Sequence, residues 1–184
     1  LAHAYAAWQG APFKDRPCLV LTLDGYGDET CASVNVAQDG EFRCLAMTPK
    51  YASLGFLYKD VTKLIGMKHL EHEYKVMGLA PYAPPEGAER SYQEMKDLVR
   101  LSAENPLVFE ASVPMTFAYR YLRERLEGHR FDWVAAGTQR VLEERVTEWV
   151  RAAVRETGIR SVALGGGVFM NVKLNMKLAA LDEV

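Results

Sequence analysis

Hydrophobic and polar positions in the first fifty residues follow the pattern of three consecutive strands. Residues 18–24 form an apolar run that is closed by an acid, which is typical of a buried strand. Residues 31–37 alternate between apolar and polar, and residues 41–47 follow the hairpin signal Asp39-Gly40. The sequence therefore predicts a three-stranded antiparallel meander.

Most of the remaining chain has the periodicity of helices. Ser53 can cap a helix that runs to about Ile65, since its apolar residues share one face and Gly66 can end it. Asp132 is the predicted cap of a long helix that ends before Gly158. Other predicted elements are helices at 1–8, 91–102, 116–126 and 170–181, a short helix or turn at 73–80, irregular chain at 103–114 and a strand at 160–164. This arrangement implies an α/β layered domain.

Composition and charge narrow the class of protein. The 184 residues are 49% hydrophobic and 25% charged, which is ordinary for one globular domain. The net charge of −2 and the lack of a long Lys/Arg run argue against nucleic acid or an anionic membrane as partner. No apolar run approaches the roughly 20 residues of a membrane span, and nothing resembles a signal peptide. We therefore expect a cytoplasmic protein.

The three cysteines favour a structural role. Cys18, Cys31 and Cys44 are an odd number without CxxC spacing, and all three lie on predicted strands. We expect small buried thiols in a reducing compartment. A thiolate nucleophile or a zinc site is the alternative, but no metal-type cluster surrounds these residues.

Two acids and one lysine are candidates for chemistry. Asp24 ends a buried strand before a turn that contains glycine, where a carboxylate can bind a metal or orient a phosphate-bound cation. It can also cap its own backbone, and that turn role is the favoured one for Asp28. Lys75 lies among apolar neighbours, so it can meet an anion or simply be a surface lysine with a buried stem.

The strongest local signal is a glycine run between a strand and a helix. Gly165, Gly166 and Gly167 let a ligand approach the backbone, and a helix start near Asn171 offers free N–H groups and a positive dipole end. Asn175 lies one turn later, so both carboxamides can reach a ribose or phosphate group. The run is neither GxGxxG nor a P-loop, and a plain tight turn stays the alternative.

The histidines carry a weaker signal. His3 lies on the first helical stretch, and a lone histidine is more often a satisfied surface or core residue than a ligand. His69 and His72 are three residues apart and flanked by acids, which could place two imidazoles on one helical face. For this pair, as for His129, we favour a solvated polar environment.

Four motifs in a fixed order carry a resemblance to a known family. They are His3-Ala-Tyr-Ala, Leu23–Asp28, Glu73–Ala80 and Gly165–Asn175. In this order they resemble the carbamoyltransferase family of nodulation-factor and antibiotic-tailoring enzymes, and the resemblance covers nearly the whole chain. The string Tyr-Lys-Val-Met-Gly-Leu-Ala in the third motif is the most specific, and the region from Ala135 and Ala136 to Gln139 also looks like that family.

The resemblance implies a particular fold. The matching region is similar to the universal tRNA threonylcarbamoyl transferase, in the actin/Hsp70/sugar-kinase (ribonuclease H-like) superfamily, where two related halves hold a nucleotide between them. The hairpin at Asp24 resembles a phosphate loop of the second half, and Gly165–Gly167 resembles its adenosine motif. Because the chain starts at Leu1 and stops at Val184 inside predicted helices, we expect a single-domain fragment covering most of that half. The rest, and a C-terminal adenylate-forming domain similar to a threonylcarbamoyl-AMP synthase, are expected outside it.

The resemblance also implies the reaction and its cofactors. Carbamoyl phosphate and ATP give carbamoyladenylate, and the carbamoyl group passes to a hydroxyl of a sugar or another small acceptor. The family's iron-type site uses two histidines and two aspartates, of which His3 looks like the second histidine and Asp24 like the first aspartate. With half of this shell, the fragment alone should bind metal weakly and should not turn over. Lys75 would stabilise developing negative charge, and the glycine run with Asn171 and Asn175 would hold the nucleotide.

Two other functions compete with this one. Threonylcarbamoyl transfer to tRNA is disfavoured by the acidic balance and by the lack of a basic stripe. A non-catalytic nucleotide-binding module of the same superfold would use the glycines and Asn171 but not a metal shell. The sequence leaves open the acceptor and the oligomeric state. All three functions require that Asp24 and the glycine run face the same cleft.

Overall fold

One mixed β-sheet forms the centre of the fold in the computed structural model, which describes residues 2–184. The strands are β1 (Cys18–Gly27), β2 (Thr30–Gln38), β3 (Glu41–Pro49), β4 (Val99–Leu101), β5 (Phe109–Ala111) and β6 (Val162–Gly165). The main sheet has the order β3–β2–β1–β6, and β4 and β5 pair separately as an antiparallel ribbon. The predicted meander is confirmed, and β6 is the expected parallel strand.

Hairpin and strand chemistry explain the meander. Asp39 and Gly40 both have positive φ, 52° and 81°, which is the geometry of a two-residue hairpin turn. Central strand β1 is covered on both faces, so its residues are apolar almost without interruption. Leu21 pairs with Val34 on one side and with Leu164 on the other. Strand β1 therefore lies inside the sheet and pairs with β2 on one side and β6 on the other.

Seven helices cover the sheet and build the rest of the described chain. They are α1 (Ala2–Gly10), α2 (Leu54–Leu64), α3 (Glu73–Leu79), α4 (Pro85–Met95), α5 (Ala118–Arg125), α6 (Phe131–Thr157) and α7 (Val172–Ala179). Short 3₁₀ turns lie at Lys50–Ala52, Ala80–Tyr82, Met115–Phe117 and Gly167–Met170. The predicted helix at the start of the chain is confirmed from residue 2 onward, while Leu1 lies outside the described residues.

The two faces of the sheet have separate cores. Leu19, Leu21 and Leu23 point into the larger core, where α2, α4 and α6 pack. Cys18 and Val20 point the other way, into a small cluster with α1. Alternation along β1 thus divides the molecule into a thick helical layer and a thin one.

The structure corrects the prediction between the second and fifth helices. Helix α4 begins at Pro85 and ends at Met95, whereas the prediction was 91–102. Proline fits the first helical position because its missing N–H would have no partner there. Residues Val99 and Phe109, predicted as helical and irregular, are buried and belong to β4 and β5. Tertiary packing decides these short strands.

Two smaller predictions also need correction. Arg130, not Asp132, is the residue before α6, and the Asp132 carboxylate accepts hydrogen bonds from the Arg130 side chain instead of capping the helix. Cys44 is exposed, unlike Cys18 and Cys31, because its side chain lies on the open face of β3. Burial raises the pKa of Cys31 to about 12, so this thiol is neutral and inert.

No helix within residues 2–184 combines the length and the apolar character that crossing a bilayer requires.

Candidate functional site

Two strand ends meet at one edge of the sheet and define the candidate site. Strands β1 and β6 are parallel, with Thr22 opposite Gly165, so their carboxyl ends lie side by side. Asp24 follows Thr22 by two residues, and the glycine run starts at Gly165. In open α/β sheets the carboxyl edge of such strands is the usual ligand position.

Asp24 is held by three contacts at this edge. Its Oδ1 accepts a hydrogen bond from the backbone N–H of Gly25 at 2.7 Å, and its Oδ2 accepts one from the N–H of Gly167 at 3.1 Å. The Nδ1 atom of His3 lies 3.4 Å from Oδ2. The side chains of Asp24 and His3 are 36% and 64% exposed, so both can meet a ligand. The structure thus brings together a strand-end acid, the glycine run and His3.

Close backbone packing explains why glycines occupy this edge. Gly166 has φ +99°, and a Cβ there would lie 2.4 Å from the Leu23 carbonyl oxygen. On the other side of β1, a Cβ on Gly55 would lie 2.7 Å from the carbonyl oxygen of Asp24. Any side chain at either position would push Asp24 out of place.

A cleft of about 510 Å³ opens beside Asp24. Helices α2 and α3 and the turn after β6 form its walls. The lining is mainly apolar and aromatic, with polar groups at a few points, which is typical of a small-molecule site. The lining residues are Asp24, Gly25, Tyr26, Gly55, Phe56, Tyr58, Lys59, Leu70, Glu71, Glu73, Tyr74, Met77, Leu142, Gly167, Val168, Met170 and Asn171.

The lysine inside the cleft is not the one that the sequence singled out. Lys75 is exposed on α3, with its amine 5.8 Å from the ring centroid of Tyr74, and it is not among the described residues that line the cleft. Lys59 does line it. Its Nζ lies 3.1 Å from Oδ1 of the buried Asp60 and 4.4 Å from the ring centroid of Phe56. The role of Lys75 stays a prediction.

The two asparagines have different surroundings. Asn171 lines the cleft and caps α7, because its Oδ1 accepts a hydrogen bond from the Leu174 N–H at 3.0 Å. Its carboxamide also pairs with that of Gln139. Asn175 instead donates from Nδ2 to the carbonyl oxygen of Phe169 at 2.7 Å, so it braces the turn that leads into α7. Asn171 is the better placed of the two for direct contact with a ligand.

The donor set at Asp24 fits part of a metal shell. One imidazole nitrogen and one carboxylate are ligands that iron and zinc accept. Residues 2–184 nevertheless contain no group of three or more His, Cys, Asp or Glu side chains that could hold an ion. His3 and Asp24 therefore fit a metal only when further ligands come from elsewhere.

The remaining histidines lie away from this edge. His72 accepts a hydrogen bond at Nδ1 from the Lys68 N–H at 3.2 Å, and His69 is exposed. His129 shares a 2.8 Å hydrogen bond with buried Ser91, and burial is the main cause that lowers its pKa. His72 and His129 thus take part in local hydrogen bonds, while His69 is exposed, as expected for a solvated residue.

Sequence reasoning missed several residues that line the cleft. Gly55 gave a usable signal, because a glycine in the first turn of a predicted helix costs about 1 kcal/mol and so suggests a packing reason. Phe56 and Lys59 gave none, since an aromatic residue and a lysine are ordinary on an amphipathic helix. Only the packing of α2 against β1 identifies them.

Comparison with known proteins identifies relatives that resemble this chain over nearly its whole length. The chain is 33% identical over 182 residues to the nodulation protein NolNO of Sinorhizobium fredii, covering 97% of this chain and 26% of that protein. It is 29% identical to the nodulation protein NolO of Bradyrhizobium diazoefficiens, covering 96% of this chain and 32% of that protein. An uncharacterised protein of Methanocaldococcus jannaschii is 28% identical, with 31% of its length covered.

The chain thus spans about a quarter to a third of the length of these relatives. A family model described as the carbamoyltransferase N-terminus matches residues 1–183. That match includes the strand-end acid, the cleft and the glycine run. The chain therefore belongs to the carbamoyltransferase N-terminus family.

Proposed function

We propose that the full-length protein is a carbamoyltransferase that acts on a small hydroxylated acceptor. The donor would be carbamoyladenylate, made from carbamoyl phosphate and ATP by an adenylate-forming domain outside this chain. Membership of the carbamoyltransferase N-terminus family supports the reaction class. The similarity to two nodulation proteins supports a small-molecule acceptor rather than tRNA.

We further infer that this chain is the second half of an actin-like domain. The sheet order β3–β2–β1–β6, with a three-stranded meander and one parallel strand, supports this fold. The position of the glycine turn at the carboxyl end of the parallel pair supports it too. In this arrangement the cleft beside Asp24 would be closed by the other half of the domain.

The nucleotide would sit against the glycine turn. The Gly167 N–H, which now donates to the Asp24 carboxylate, can donate to a phosphate oxygen once a ligand competes for it, and the Gly165–Gly167 run lets that ligand approach the backbone. Asn171 is proposed to donate a side-chain N–H to a ribose or phosphate oxygen. Asn175 would act indirectly, by bracing the turn through Phe169.

A metal would be held by His3 and Asp24 together with ligands from outside this chain. Such an ion would supply a positive charge that polarises the reacting carbonyl or neutralises phosphate. Asp24 retains lone pairs for this purpose, because each carboxylate oxygen accepts one backbone N–H. The two N–H groups hold the carboxylate fixed before any ligand arrives.

In the transfer step the acceptor hydroxyl oxygen would form a bond to the carbamoyl carbon. The bond from that carbon to the AMP oxygen breaks, AMP leaves with the bonding electrons, and the hydroxyl proton passes to water. A lysine near the phosphate can offset the negative charge that develops on AMP. Lys59 and Lys75 are the two candidates: Lys59 lines the cleft, and Lys75 is exposed on α3 next to Tyr74, which lines the cleft.

The observation that carries this proposal is the convergence of Asp24, His3 and the Gly167 N–H at one edge of an apolar cleft. The test uses the full-length protein with carbamoyl phosphate, ATP and a panel of nodulation-factor and aminoglycoside acceptors. Mass spectrometry should find a carbamoylated acceptor together with AMP. Nucleotide binding without carbamoyl transfer to any acceptor would favour a non-catalytic module. In a parallel reaction with ATP, threonine, bicarbonate and tRNA, threonylcarbamoylated tRNA would favour the tRNA-modifying function.

A further inference from the structure

A buried glutamine connects three elements behind the cleft. Gln139 lies in the middle of α6 and is 4% exposed. Its Oε1 accepts hydrogen bonds from the Tyr58 hydroxyl and from Asn171 Nδ2, both at 2.8 Å. Its Nε2 donates to Asn171 Oδ1 at 3.1 Å and to Glu143 at 2.8 Å. All the polar atoms of this buried side chain are therefore satisfied, which is the condition under which such a network fixes geometry.

The ends of this network allow only one orientation of the two carboxamides. The Glu143 carboxylate can only accept, so the nitrogen of Gln139 must face it. The backbone N–H of Leu174 can only donate, so the oxygen of Asn171 must face α7. Between these fixed ends, Gln139 and Asn171 pair nitrogen to oxygen in both directions.

The hydrogen bonds of the Asn171 carboxamide determine which of its atoms a ligand can contact. Both lone pairs of Asn171 Oδ1 are used, by Leu174 N–H and by Gln139. One of the two Nδ2 hydrogens goes to Gln139, and the other, for which the neighbouring Tyr58 hydroxyl oxygen can compete, is the one that a ligand can take. Asn171 can thus offer a donor but no acceptor, which matches a phosphate or ribose oxygen. Tyr58 gives its proton to Gln139 and keeps its oxygen lone pairs, and burial raises its pKa, so it stays protonated.

We propose that Gln139 is a positioning residue that turns the Asn171 carboxamide so that an N–H faces the bound adenylate. This inference rests on the proposed carbamoyl transfer. In this role the long helix α6 helps to orient the substrate through Gln139, although Gln139 itself touches no ligand. Its effect belongs to the transfer step, because the adenylate is made in another domain.

The test is Gln139→Glu in the full-length protein, with Gln93→Glu on exposed α4 as the control. At pH 8 a carboxylate at 139 cannot donate to Asn171 and repels Glu143, so acceptor carbamoylation should fall about tenfold or more. Release of pyrophosphate during adenylate formation should stay within about twofold of the parent. The Gln93→Glu protein should match the parent in both steps.

Lowering the pH supplies a readout that a merely structural defect would not give. Burial and the neighbouring Glu143 charge raise the pKa of a glutamate at this position, and Glu73, which acts on the adjacent Tyr58, has the same sign. Lys177, which lies 3.4 Å from Glu143, is an opposing charge. At pH 6 the protonated side chain can donate again, so transfer by Gln139→Glu should recover relative to the parent at the same pH. Equal transfer by parent and variant at pH 8 would overturn the proposal, and so would a loss that pH 6 does not restore.

A second variant keeps the inference testable if Gln139→Glu does not fold. Asn171→Asp retains an oxygen that caps α7 but removes the remaining N–H. Transfer should again drop about tenfold, with adenylate formation unchanged. Full transfer by Asn171→Asp would contradict the inference. If the parent itself carbamoylates no acceptor, the proposed function fails instead, and the two failures are distinguishable.

Discussion

Gly166 is the residue whose conformation most directly sets the site. Its φ of +99° is a region that side chains rarely adopt, and a Cβ would meet the Leu23 carbonyl oxygen at 2.4 Å. Gly166→Ala should therefore lower the free energy of unfolding by about 2–4 kcal/mol. Thermal and urea unfolding of the full-length protein measures this. Gly10→Ala is the control, because that position has open space, and equal stability of the two variants would contradict the strain.

Lys59 and Lys75 offer a direct comparison of two cations. Lys59 lines the cleft and Lys75 does not, so Lys59→Gln should raise the KM for the adenylate donor more than Lys75→Gln does. The expected difference corresponds to about 1.5–3 kcal/mol for one hydrogen bond to a charged group. Steady-state kinetics measures it, with Lys63→Gln on the exposed face of α2 as the control. A larger rise in KM for Lys75→Gln than for Lys59→Gln would instead assign the cationic role to Lys75.

At the scale of elements, Ser53 joins α2 to the strand that carries Asp24. Its hydroxyl oxygen accepts from the Phe56 N–H at 3.0 Å and donates to the Gly25 carbonyl oxygen at 2.6 Å. Ser53→Ala should cost about 1–2 kcal/mol in the free energy of unfolding. Urea unfolding of this variant beside Ser112→Ala, an exposed serine, provides the measurement. Equal free energies of unfolding for Ser53→Ala and Ser112→Ala would show that the Ser53 cap does not contribute to stability.

The sequence predicted the elements whose signals are local. Ser53, the Asp39-Gly40 turn and Gly158 each determine an element boundary through chemistry within a few residues. Strands β4 and β5 could not be predicted, because three residues carry no usable period and their pairing depends on burial of Phe109. Helix α4 was misplaced although Pro85, at its first position, is a start signal that the sequence contains.

At the scale of the whole molecule, the position of the site followed from topology. Two parallel strand ends bring Asp24 and the glycine run together, although 143 residues separate Asp24 from Gly167. The cleft's other walls could not be predicted, since they depend on how α2 and α3 pack. The Gln139 network was equally hidden, because a glutamine at a buried helix position has no distinctive sequence signal.

Two nodulation proteins that are three to four times longer than this chain are 33% and 29% identical to it over nearly its whole length. The cleft is therefore expected to work together with parts of the protein outside residues 1–184. We propose Asp24 as the residue on which that cooperation depends, because it contacts His3 and the glycine turn and lines the cleft.

The most direct test of the account is acceptor carbamoylation by the full-length protein with Asp24→Asn, beside Asp28→Asn from the exposed turn of the same hairpin. The asparagine keeps the size of the side chain but removes its charge. We expect transfer to fall about a hundredfold or more for Asp24→Asn and to stay near the parent rate for Asp28→Asn. Asp24→Asn should still unfold cooperatively, with the free energy of unfolding lower by about 1–3 kcal/mol, because the amide can accept only one of the two backbone N–H bonds. Near-normal transfer by Asp24→Asn would contradict the central claim.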